Sequence, residues 1–98
     1  MTITKTQNEA ALELALHGRL DTTTAPELEK ELESSLKGVS ELTLDFAELD
    51  YISSAGLRVL LYAQKTMSQQ GSLILKNVSE IIMEIFEVTG FSDILTIV

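Results

Sequence analysis

The chain has 98 residues, 45% of them hydrophobic, which suits a single core and one domain over residues 1–98, and it has no cysteine, which excludes disulfide and thiol chemistry. Its formal charge is −8, with acids gathered at Glu27, Glu29, Glu31, Glu33, Glu41, Glu48 and Asp50, a balance that repels a phosphate backbone and argues against nucleic acid as a partner. No run approaches the roughly 20 apolar residues of a membrane span, and Asn8 and Glu9 interrupt the N-terminus where a signal peptide would be apolar, so a cytoplasmic protein without membrane insertion is expected. The acidic surface suits a basic protein partner, or serves solubility alone.

In chain order, Thr2 to Thr6 alternate as a strand, Asn8-Glu9 can turn, and Ala11 to Leu16 reads as a second strand with Leu12, Leu14 and Leu16 on one face, together an opening β-hairpin. Gly18 is expected to break that strand. Thr24-Ala25-Pro26-Glu27 has the spacing of a capping box with proline in the first turn. The helix it opens runs to about Lys37, with Ala25, Leu28, Leu32 and Leu36 inward and Gly38 placed for the C-terminal cap.

Leu42, Leu44 and Phe46 alternate with Thr43 and Asp45, which predicts a central strand over 41–46. A helix follows from Ser54 to about Gln70, its broad apolar face made of Ala55, Val59, Tyr62, Ala63 and Thr66 with Leu57, Leu60 and Leu61, and Gly71 stops it. Ser72 to Lys76 reads as a strand, and Val78, Ile81, Ile82, Ile85 and Phe86 as a third helical stripe ending near Thr89-Gly90. The tail from Phe91 to Val98 makes either a last helical turn and a brief strand or an apolar plug. The order β-β-α-β-α-β-α describes a single-domain α/β protein, a mixed sheet with helices over at least one face.

Catalytic machinery is not expected. The one histidine, His17, has no cysteine or carboxylate cluster at metal-ligand spacing around it, and neither the phosphate-loop pattern nor the dinucleotide glycine fingerprint occurs, so no catalytic residue, metal or cofactor is assigned. What remains is a pair of hydroxyls, Ser53 and Ser54, where a strand ends and a helix begins. A helix start gathers unpaired N–H groups and the positive end of the macrodipole, so a serine there caps the helix or carries a phosphate. Both roles can coexist: with Ser53 as the cap, Ser54 is the first helical residue and faces outward.

Three pieces of the chain, Gly18-Arg19-Leu20-Asp21, then Leu44-Asp45-Phe46 through Asp50-Tyr51-Ile52-Ser53-Ser54-Ala55-Gly56-Leu57, then Phe86-Glu87-Val88-Thr89-Gly90-Phe91, resemble in order and spacing the STAS domain of bacterial anti-sigma factor antagonists. The resemblance covers nearly the whole chain. It implies a partner-switching role: binding to an anti-sigma factor that is also a serine kinase, inactivation when that kinase phosphorylates the antagonist, and reversal by a serine phosphatase. The family's acceptor serine falls on Ser54, with Ser53 as the alternative acceptor, and the Gly-x-Leu-Asp turn falls on Gly18 to Asp21.

Asp21, Thr22 and Thr23, with Ser53, Ser54, Ala55 and Gly56, are therefore the expected partner contacts, although Asp21 also reads as a turn residue bonding to nearby backbone. Many phosphorylated members have an aspartate just before the acceptor, where this chain has Ser53. STAS-like domains also serve as unregulated subunits of lipid-transport ATPase complexes, which is the alternative reading of the same resemblance. A nucleotide-binding module using the same helix start is a third.

Overall fold

The computed structural model describes all residues, Met1–Val98. Strands β1 (Thr2–Asn8) and β2 (Ala11–Leu20) pair antiparallel; helix α1 (Ala25–Ser35) leads to β3 (Glu41–Ile52), helix α2 (Ser54–Ser68) to β4 (Ser72–Lys76), and α3 (Glu80–Thr89) to a 3-10 turn at Phe91–Asp93. The sheet order is β1-β2-β3-β4, with β2, β3 and β4 parallel. Two βαβ units thus follow an antiparallel edge strand, and β3 is interior, between β2 and β4.

Alternation along the strands decides the layers. Leu12, Leu14 and Leu16 of β2, Leu42, Leu44 and Phe46 of β3, and Leu73 and Leu75 of β4 are buried on one face. They share a single cluster with Ala25, Leu28 and Leu32 of α1, Val59, Leu60, Ala63 and Met67 of α2, and Ile82 and Phe86 of α3. All three helices therefore cover the same face, and Phe46 meets Phe86 with ring centroids 6.3 Å apart. The opposite face is half-open and polar, crossed by an ion pair between Lys76 and Glu13 at 3.0 Å.

Several boundaries differ from the sequence expectation. Gly18 does not end β2; at φ +101° it stays paired with Leu49 and the strand continues to Leu20, while at a register shift on either side of His17-Gly18 β3 bulges by one extra residue. That longer β2 holds a longer β3, which runs to Ile52 instead of Phe46. The predicted capping box is absent: Thr24 is the N-cap of α1 by position, but its side chain caps nothing in the helix. The helix stops at Ser35, and Gln70 Nε2 donates to the carbonyls of Leu36 and Val39 at 2.6 Å each, closing the turn beyond it. On α2, Tyr62 is exposed and Leu61 and Thr66 half-buried, so the inward face is narrower than predicted.

The tail makes both a turn and a short pairing. After the 3-10 turn, Leu75 donates its N–H to the Thr96 carbonyl at 2.9 Å and accepts from the Val98 N–H at 3.0 Å, a parallel bridge along the outer edge of β4.

Candidate functional site

Leu20 and Ile52 are the last paired residues of β2 and β3, so the chain leaves the sheet twice at one rim, once into the Asp21–Thr24 turn and once into α2. The two exits are strapped together by the Ser53 N–H, which donates to the Leu20 carbonyl at 2.9 Å. Gly56 lies against the same strap. A Cβ there would stand 2.8 Å from Leu20 Cγ, 2.9 Å from Ile52 Cγ1 and 3.0 Å from the Leu20 carbonyl oxygen, so only glycine lets the first turn of α2 sit this close.

The Asp21 turn is organised by its own carboxylate. Oδ1 accepts from the N–H groups of Thr23 at 3.0 Å and Thr24 at 3.1 Å, and the Asp21 carbonyl accepts from the Ala25 N–H at 2.7 Å. The Thr24 hydroxyl accepts from the Asp21 N–H at 2.8 Å and donates to the Arg19 carbonyl at 2.7 Å. This is why the capping box fails: Asp21 has already taken the amides, and Thr24 is turned back to the strand. The Thr24 amide above all, then the Thr23 amide, the Thr24 hydroxyl and Arg19, hold the Asp21 carboxyl below its ordinary value against a smaller desolvation effect. Thr22 and Thr23 are exposed on the turn.

At the second exit, Ser53 is extended (φ −101°, ψ 176°) and its side chain accepts from the Gly56 N–H at 3.4 Å. Ser54 is the first residue of α2 and is exposed; its hydroxyl enters no hydrogen bond with the rest of the chain. Nothing in the protein activates it as a nucleophile, yet the unpaired amides and dipole of the first turn favour negative charge beside it. Ala55 is half-buried. Gly56, the last of the expected partner contacts, is buried beneath the first turn of α2.

A shallow groove joins the two exits, with Ala25, Ala55 and Val59 on its floor and Thr22, Glu29 and Arg58 at its rim. Sequence reasoning missed Arg58, Glu29 and a second flank, where Arg19 lies over the Tyr51 ring with its guanidinium carbon 4.2 Å from the centroid and its Nε 3.5 Å from Asp21 Oδ2. Both partners of that flank stand in the quoted motifs, but their contact follows from the pairing of Arg19 with Tyr51 across the parallel strands. His17 lies on the open sheet face, 3.5 Å from the Thr4 hydroxyl, and no three acidic or histidine side chains converge as metal ligands. No helix is long and apolar enough to cross a membrane.

An exposed hydroxyl and an ordered carboxylate turn thus stand on adjoining strand ends of a mixed α/β sheet, with no activating group between them. The chain belongs to the STAS domain family, which it matches over residues 2–98, and within it to the anti-sigma factor antagonists. It is 40% identical over 96 residues to BtrV of Bordetella bronchiseptica, covering 96% of this chain and 83% of BtrV. It is 33% identical over 92 residues to the anti-sigma-B factor antagonist of Bacillus subtilis, covering 93% and 84%. Among solved structures, SpoIIAA in its unphosphorylated form superposes with a TM-score of 0.78 at 16% identity, over 99% of this chain and 87% of SpoIIAA; SpoIIAA has also been solved in a phosphorylated form. Anti-sigma factor antagonists act by binding anti-sigma factors and are not enzymes.

Proposed function

We propose that this antagonist works by partner switching, with Ser54 as the switch. Its rim of Asp21, Thr22, Thr23, Ser53, Ser54 and Ala55 docks on an anti-sigma factor that is also a serine kinase and so frees the sigma factor in the cytoplasm. The kinase transfers the γ-phosphoryl group of its ATP to the Ser54 oxygen; the O–H proton is lost, ADP leaves, and the antagonist is released. A serine phosphatase hydrolyses the phosphoester and restores binding.

The observation that carries this reading is the exposed, unbonded hydroxyl of Ser54 at the start of α2, one residue beyond the serine that caps the helix. Ser53 is the poorer acceptor because its oxygen is half-buried and engaged with the Gly56 amide. A phosphate on Ser54 adds about −1.5 to −2 charges at neutral pH. At the positive end of the helix dipole this leaves the fold intact, stabilising it by about 0.3–1 kcal/mol, while the interface formed around a neutral hydroxyl has to desolvate a dianion.

The test is direct. Incubation with the candidate kinase and ATP should place one phosphate on Ser54 by mass spectrometry, Ser54→Ala should bind the anti-sigma factor constitutively, and Ser54→Asp should bind weakly. Equal affinity of the two variants refutes the switch. Recovery of a transport ATPase from native cells in place of a kinase favours the lipid-transport subunit instead.

A further inference from the structure

Helix α3 is apolar on two sides. Ile82 and Phe86 are fully buried against the sheet, while Ile81, Ile85 and Val88, at positions i, i+4 and i+7, form a second stripe whose two ends are exposed and whose middle, Ile85, is half-buried against the core. Ile81 is 68% exposed and Val88 88% exposed. With Glu84 and Thr89 these residues line a shallow surface groove that shares no residue with the one beside Ser54. Of the six large apolar residues left exposed, Tyr51 and Tyr62 carry a polar tip; the other four, Ile81, Val88, Ile94 and Val98, all lie in the last part of the chain. Scattered exposed aliphatics need no explanation, but a continuous stripe on one helix is a binding patch in search of an occupant.

Charge selects that occupant. At about 100° per residue, Glu80, Glu84 and Glu87 fall within about 60° of one another along one edge of the stripe. No cation answers them: from Asn77 to Val98 the chain has Glu80, Glu84, Glu87 and Asp93 and no lysine, arginine or histidine. A second copy of the chain brings the same acidic edge and a net charge of −8, so self-pairing through α3 sets like charge against like charge with no cation between them. We propose that α3 is a second docking surface, separate from the Ser54 rim, for an amphipathic helix of a partner protein that carries an aliphatic stripe flanked on one edge by lysine or arginine. Because the two surfaces share no residue, α3 binds its partner irrespective of the state of Ser54.

The experiment titrates the isotopically labelled full chain with a designed helical peptide bearing a leucine stripe edged by lysines, and with a matched peptide bearing glutamates instead. The lysine peptide should shift the amides of Ile81, Ile85 and Val88. Its affinity, read by fluorescence anisotropy, should fall about tenfold or more in Ile81→Ser/Val88→Ser, which removes exposed apolar surface without altering charge or core. It should also weaken in Glu84→Gln/Glu87→Gln, and be unchanged in Ser54→Asp. Unchanged affinity in the serine variant would mean mere charge attraction and would overturn the proposal. So would equal binding of the glutamate peptide, shifts confined to other elements, or self-association that Ile81→Ser/Val88→Ser abolishes, since the occupant would then be a second copy.

Discussion

Replacing Gly56 by alanine sets two effects of known size against each other. Alanine is the better helix former by about 0.8–1.0 kcal/mol, and in an open helix the change would stabilise. Here the new Cβ meets Leu20 Cγ at 2.8 Å, Ile52 Cγ1 at 2.9 Å and the Leu20 carbonyl oxygen at 3.0 Å, with Leu20 0% and Ile52 2% exposed, so neither side chain has solvent to move into. Overpacking of this kind costs about 1–3 kcal/mol. The steric effect wins, with a net loss of about 1 kcal/mol and at most about 2. For a chain of this size the melting temperature should fall by about 4–8 °C per kcal/mol.

A double-mutant cycle isolates the cause. Leu20→Ala alone should cost about 2–5 kcal/mol, within the stability of a typical domain, and it removes the Cγ that the new methyl strikes. Gly56→Ala should then cost less in the Leu20→Ala background than alone, a coupling visible in urea unfolding. Strict additivity, or a Gly56→Ala protein more stable than the parent, would refute the claim that α2 starts in steric contact with the end of β2.

Two further expectations concern the same rim. Ser53→Ala removes the acceptor for the Gly56 N–H and should lower stability by about 1 kcal/mol, whereas Ser53→Asp, which keeps a cap and places negative charge at the helix start, should restore it in the same urea titration. The Asp21 carboxyl should titrate below the ordinary aspartate value of 3.8, as should that of Asp45, which Asn77 and the Ala47 amide hold down. Since both values are depressed in the folded state, their contribution to stability is present above pH 3.8 and is lost as pH falls through the folded values. Carbon-detected NMR titration reads both, and Asp21→Asn should lose the acid-side dependence that belongs to Asp21.

The sequence marked the start of α2 because the signals there are local: two serines, then a helical period. It misplaced the ends of β2 and β3 because those are set across the sheet. Gly18 alone reads as a stop, and only pairing with Leu49 and the following residues of β3 shows that the strand continues past it. Ala47-Glu48-Leu49-Asp50-Tyr51-Ile52 breaks the two-residue alternation, with two exposed residues before each buried one, since β3 itself carries one extra residue at each of its two register shifts against β2. The capping box failed for a similar reason, as the competing ligand for the amides, Asp21, lies outside the four-residue pattern. The Arg19–Tyr51 flank and the groove beside Arg58 arise from residues far apart in sequence, and no local spacing announces them.

The bridge between Leu75 and the tail has a bearing on how this protein can associate. A bare strand border invites another chain to zip onto it through backbone groups. On the β4 side the chain has occupied that border itself at Leu75, and on the β1 side the charge of Lys5 stands in the middle of the border and discourages such zipping. That leaves the side chains of the helical layer and of the strand-end rim as the surface on which the proposed phosphate switch would act.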